Sequence, residues 1–133
     1  MILDTSAVIA ILNDEVEAVA FSEAIERASA VRFSAGSYLE ACVVISRARN
    51  PKLTVRLDEI LEDAEVKMEP FTEEQARVAS QAYRDYGKGS GHPAGLNFGD
   101  CFSYALARVT REPLLFKGDD FIHTDIRPAV PRM

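Results

Sequence analysis

The chain has 133 residues, a net charge of −6, an apolar fraction of 47% and a charged fraction of 27%. That length suits one domain over residues 1–133 with a modest core, and the balance is ordinary for a globular protein. No apolar run nears the roughly 20 residues a membrane span needs, and so acidic a chain is not a general nucleic-acid coat protein, which would be basic.

Met1-Ile2-Leu3-Asp4 reads as a very short buried strand ending on an acid, with a helix following at once from about Thr5 to Leu12. No basic segment precedes an apolar stretch, so residues 1–4 are expected to be core strand at the natural start of the chain, not a leader. Asn13-Asp14 ends the first helix. Val16, Val19, Ala20, Ala24 and Ile25 then recur at helical spacing. Val31-Arg32-Phe33-Ser34 is a second short strand. Gly36-Ser37 opens a third helix, 38–48, which Asn50-Pro51 ends. Val55, Leu57, Ile60 and Leu61 carry a fourth. Residues 65–69 alternate in strand fashion until Pro70, and Thr72-Glu73-Glu74-Gln75 is a capping-box start for a helix to about Tyr86. Residues 87–97 form the one long loop, with four of the seven glycines. Loops of this length in a small domain tend to be functional or mobile. Phe98 to Thr110 is a sixth helix, 113–116 a strand, and 126–130 a candidate last strand.

Short apolar strands alternating with helices predict an α/β fold. Its core is a short parallel sheet of four to five strands, with helices on both faces. In such sheets ligands gather at the carboxyl ends of the strands. Acids arrive there repeatedly: Asp4 after the first strand, Glu40 in the helix after the second, Asp100 opening the helix that leads into the fourth, and Asp119 or Asp120 after it. Each has a local structural alternative. Asp4 suits a helix N-cap, Ser37-x-x-Glu40 reads as a capping box, Asp100 complements a helix dipole, and Asp119-Asp120 after Gly118 suits a turn. Those local roles leave unexplained why acids occupy every position able to reach one crevice. Carboxylates brought together repel, and an all-oxygen cluster suits Mg²⁺ or Mn²⁺.

The other chemistry-bearing residues point elsewhere. Cys42 and Cys101 have no C-x-x-C partner and read as reduced thiols of an intracellular protein. With His92 and His123 in loops, neither a zinc site nor a catalytic thiol is expected. Arg47, Arg49, Lys52, Arg56, Lys88, Arg108, Arg111 and Lys117 are solvated faces, a few of them able to guide a phosphate backbone. Phe98 and Phe116 read as core, with Tyr38 or Tyr104 as possible groove lining.

In four blocks the chain resembles the PIN-domain toxins of bacterial toxin–antitoxin pairs, the VapC family. Met1-Ile2-Leu3-Asp4-Thr5-Ser6-Ala7 resembles the opening motif, and Glu40 in Ser37-Tyr38-Leu39-Glu40 matches the second acid. The stretch from Asn97 to Ala107 resembles the third block, with Asp100 as its acid, and Leu114 to Phe121 resembles the closing one. The resemblance implies a single PIN-like domain and a Mg²⁺- or Mn²⁺-dependent endoribonuclease acting on RNA through metal-activated water. Asp4, Glu40, Asp100 and Asp119 would be the metal-binding and catalytic acids, with Thr5 or Ser6 orienting a ligand or a water. Asp119 is favoured over Asp120 because Asp120-Phe121 resembles the structural end of the motif. The resemblance also implies a cytoplasmic homodimer, with no membrane partner, neutralised by a VapB-type antitoxin. Other readings are a haloacid-dehalogenase-type phosphatase, a receiver-like signalling domain and a non-catalytic PIN-like binding module. The first wants an acid where Ser6 stands. The second wants paired acids where Asp4 stands alone, and the third would be expected to have lost some acids.

Overall fold

The computed structural model describes residues 1–131. Its elements are β1 (Ile2–Leu3), α1 (Thr5–Leu12), α2 (Ala18–Arg27), β2 (Arg32–Ser34), α3 (Ala35–Ser46), α4 (Pro51–Asp63), β3 (Lys67–Glu69), α5 (Glu73–Tyr86), α6 (Phe98–Thr110) and β4 (Leu114–Leu115). The strands form one sheet in the order β3-β2-β1-β4, and every pairing is parallel.

The two-residue strands show how the sheet is covered. Side chains alternate across a strand. Ile2 and Leu114 therefore enter one core cluster with Leu96, Tyr104, Leu106 and Phe121, while Leu3 and Leu115 enter another with Val8, Phe21, Phe33 and Leu57. Both faces are buried, as a parallel sheet requires. The expected segment 126–130 contributes only a single parallel bridge, Leu114 to Pro128. Its two hydrogen bonds run from Leu114 N to Arg127 O and from Ala129 N to Leu114 O, and the ladder goes no further among the described residues, so the sheet stops at four strands.

Helix boundaries differ from expectation where one residue serves two elements. Ser34, the last residue of β2, caps α3 by accepting a hydrogen bond from the Gly36 amide, so that helix starts before Ser37. Asn50-Pro51 does not end α3, which stops at Ser46 with Arg47 as its cap, short of the expected end at Ala48. Asn50 caps α4, and Pro51 fills its first turn, where the missing N–H costs nothing. At α5 the capping box is half made. Thr72 Oγ1 accepts from the Gln75 amide, but the Gln75 side chain donates to the Pro70 carbonyl. The long loop is closed at its base by hydrogen bonds from Lys88 N to Leu96 O and from Leu96 N to Tyr86 O, and it delivers the chain to Asn97, the cap of α6.

The sheet order reverses at β1. The chain moves from β1 to β2 to β3 on one side and returns as β4 on the other. The crevice beyond the carboxyl ends of β1 and β4 is the switch point at which such sheets bind ligands. No helix among the described residues is long and apolar enough to cross a membrane.

Candidate active site

Asp4 leaves β1 at that switch point and is buried, 3% exposed. It caps α1, its Oδ2 accepting from the Ser6 amide at 3.0 Å and from Ser6 Oγ at 2.5 Å. Its Oδ1 accepts from Ser103 Oγ at 2.6 Å. The local role and a site role therefore coexist. Ser6 Oγ also accepts from the Lys117 amide at 3.0 Å, which ties the end of β4 to the Asp4 carboxylate.

Glu40 lies on the second turn of α3 and has no capping function, because Ser34 rather than Ser37 is the cap. Its carboxylate lies against Gly99 so closely that a Cβ built on Gly99 would overlap it. Thr5 Oγ1 donates to the Ser37 carbonyl at 3.0 Å, and its hydroxyl lies beside the Glu40 carboxyl, opposing the effect of burial. Asp100 is 8% exposed and makes a reciprocal capping box with Asn97. Asp100 Oδ2 accepts from the Asn97 amide, and Asn97 Oδ1 accepts from the Asp100 amide.

All three acids are hard to ionise in the absence of a counter-charge, and burial is the leading cause in each. Asp4 is raised by desolvation, opposed by its serine hydrogen bonds and supported by the charge of Asp120. Glu40 is raised by desolvation and by Asp4. Asp100 is pushed up to about 8 by desolvation, with Asp4 and Asp120 adding to the shift. Asp120 also shares a hydrogen bond with Asp100, which two carboxyl groups can do only when one keeps its proton. Of the adjacent pair after β4, Asp120 is thus the one set against Asp4 and Asp100. Asp119, favoured by the resemblance, lines a separate cavity of about 460 Å³ with Phe21, Phe116 and Lys117.

Among the described residues no three acid, histidine or cysteine groups already stand at ion-gripping distances. Asp4 faces its serines and Asp100 the Asn97 amide. Nearby groups are accounted for otherwise. Lys117 Nζ pairs with Glu15 and Glu17, so it is not a free phosphate contact. Cys101 is pushed up to about 11 by burial and by the Asp100 charge, which disfavours a thiolate nucleophile. Tyr38 donates to Asp58 and Tyr104 to Asp125. Phe98, expected in the core, is 78% exposed.

Two site residues are not evident from the sequence, Ser103 and Gly99. Ser103 had a usable signal. It lies three residues after Asp100 and so on the same helix face. Gly99 had none, since its partner lies on another helix.

The family model of the PIN domain matches residues 1–127. Ribonuclease VapC28 of Mycobacterium tuberculosis is 57% identical over 132 residues, with 99% of each chain covered. Ribonuclease VapC42 of the same organism is 55% identical over 129 residues, covering 97% of this chain and 98% of its own. Among solved structures, M. tuberculosis VapC20, described as a sarcin-ricin loop cleaving toxin, superposes with a TM-score of 0.71 at 20% identity over 96% of this chain and 98% of that one. A toxin–antitoxin complex from Klebsiella pneumoniae gives 0.62 at 16% identity, over 88% and 85%. These two structural likenesses bear on the fold alone.

Proposed function

The chain belongs to the PIN-domain family, and we propose that it is a Mg²⁺- or Mn²⁺-dependent endoribonuclease, the toxin of a type II toxin–antitoxin pair. The relatives above half identity, named VapC ribonucleases over nearly the whole chain, support the reaction class. The observation that carries the mechanism is the gathering of Asp4, Glu40, Asp100 and Asp120 at the switch point, three of them pushed toward the protonated form. Such a cluster is held at neutral pH by a bound cation. The residues fit one. Every donor is an oxygen, and the space beside Gly99 that a side chain would fill holds the Glu40 carboxylate instead.

In this reading Asp4, Glu40 and Asp100 hold the cation, and Asp120 takes the place of Asp119 as the fourth acid. When bound, the cation supplies Lewis-acid polarisation of the phosphodiester and a lowered pKa for water. Asp120, exposed at the mouth, accepts the proton of the attacking water. Thr5 steadies Glu40, and Ser6 steadies Asp4. The unit acts in the cytoplasm as one domain over residues 1–133, and a VapB-type antitoxin neutralises it. The test is incubation of RNA with the purified chain, with Mg²⁺ or Mn²⁺ and with chelator, followed by mapping of 5′ ends. Discrete, metal-dependent ends are expected. Asp120→Asn is expected to slow cleavage about tenfold, roughly 1.4 kcal/mol of transition-state stabilisation, with Asp119→Asn within about twofold of wild type. Equal losses in the two variants would remove the distinction drawn between them, and cleavage unaffected by chelator would remove the metal.

The homodimer is proposed to form through an apolar face of α3 and α6. Gly36, Leu39 and Val43 follow one another at helical spacing on α3, and Phe102 lies over Gly36. Phe102 meets Phe71 and Phe98 edge to face. Leu39 is 64% and Phe98 78% exposed, a patch of the kind that marks an interface. Leu39→Asp is expected to halve the mass read by light scattering while the far-ultraviolet circular dichroism stays unchanged. A dimer that survives this change uses another face.

A further inference from the structure

Beneath the acids lies a buried pair of hydroxyls to which the catalytic scheme gives no role. Ser37 and Ser103 are both fully buried, and their Oγ atoms are 3.0 Å apart. Each stands three residues from an acid on its own helix, Ser37 from Glu40 on α3 and Ser103 from Asp100 on α6. Residues at that spacing share a helix face, so the two serines join the two acid-bearing faces.

The direction of the hydrogen bonds follows from proton counting. A serine hydroxyl has one proton to give. Ser103 gives its proton to Asp4 Oδ1, so the proton between the two serines comes from Ser37. The chain runs from Ser37 to Ser103 to Asp4 Oδ1. A second chain mirrors it, from the Lys117 amide to Ser6 Oγ to Asp4 Oδ2. A carboxylate has about four lone-pair positions. Ser6 fills both on Oδ2, through its hydroxyl and its amide, and Ser103 fills one on Oδ1. Among the described residues, the position left over is on Oδ1.

We propose that Ser103, with Ser37 behind it, is a positioning residue that locks Asp4 so that Oδ1 is the oxygen offered to the divalent cation. The proposal rests on the metal-dependent function proposed above. A carboxylate fixed from both sides loses less freedom on coordination, and partners behind a ligand are commonly worth about 10–100-fold in metal affinity.

The experiment is calorimetric titration of Mn²⁺ alone into the full chain, for wild type, Ser103→Ala and Ser37→Ala, with thermal melts alongside. Ser103→Ala is expected to weaken Mn²⁺ binding about tenfold, and Ser37→Ala about threefold, because it acts one hydroxyl further away. A purely structural role would lower the melting temperature and leave Mn²⁺ affinity in place, and that result overturns the proposal. Should Ser103→Ala fail to fold, Ser37→Ala decides, and wild-type affinity there overturns it equally. If wild type itself takes up no Mn²⁺, the metal-dependent function fails and this proposal falls with it. Wild-type binding matched by both variants sinks only the serine relay.

Discussion

Asp100→Asn is expected to reduce RNA cleavage about a thousandfold, roughly 4 kcal/mol of transition-state stabilisation, and to make the metal-free protein more stable at pH 8. The two effects share one cause. Asp100 is 8% exposed and beside two other acids, so its ionised form is costly in the folded chain and useful only to a cation. Asparagine keeps an oxygen for the Asn97 amide that now donates to Asp100 Oδ2, so the helix cap survives while the charge is lost.

The sign of the pH dependence is fixed by linkage. The Asp100 carboxyl titrates at about 8 in the folded chain, against an ordinary value of 3.8. Between those values the folded state keeps a proton that the unfolded state has released, so stability falls as pH rises from about 4 to about 8. Asp4 and Glu40 are displaced upward too and add to the same slope. Metal-free wild type should therefore melt progressively lower from pH 5 to pH 8. Asp100→Asn should show a shallower slope and a higher melting temperature at pH 8, by about 4 °C for each kcal/mol recovered. Mn²⁺ should raise the wild-type melting temperature more at pH 8 than at pH 5, because it binds the ionised cluster. A variant that melts below wild type at pH 8 without metal would show that the Asp100 charge is already compensated by protein groups.

The sheet and the acids are legible in the sequence because their signals are local. Two apolar residues followed by an acid and a helix mark the end of β1, and Asp100 in the first turn, complementing the helix dipole, marks the start of α6. Boundaries are lost where one residue serves two elements. Ser34 ends β2 and caps α3, and Asn50, expected to end α3, instead caps α4. The fourth acid cannot be assigned from sequence, since Asp119 and Asp120 are adjacent and only the folded turn decides which one meets Asp100. Phe98 reads as core because aromatic residues usually are buried, yet it stands on the outer side of the first turn of α6. The close approach of Glu40 to Gly99 joins two different helices that are far apart in the chain, and no periodicity encodes it.

That approach gives the second large effect, expected for Gly99→Ala. A single methyl at this position would occupy the space of the Glu40 carboxylate. The backbone offers no objection, because Gly99 is an ordinary helical residue and not among the glycines of positive φ. Nor does the collision strike anything rigid, since a carboxylate at the end of a flexible side chain can swing away. The fold should therefore tolerate the change to within about 1 kcal/mol, partly offset by the better helix propensity of alanine. The site should not tolerate it. Glu40 would be driven from its place beside Asp4 and Asp100, and cleavage should fall about a hundredfold, roughly 2.7 kcal/mol, with a melting temperature close to that of wild type. Gly36→Ala is the contrasting control. There the new methyl would meet the Phe102 ring, which is held between Phe71 and Phe98, so stability should fall. Cleavage by Gly99→Ala at the wild-type rate would mean that Glu40 does its work from elsewhere, or does none.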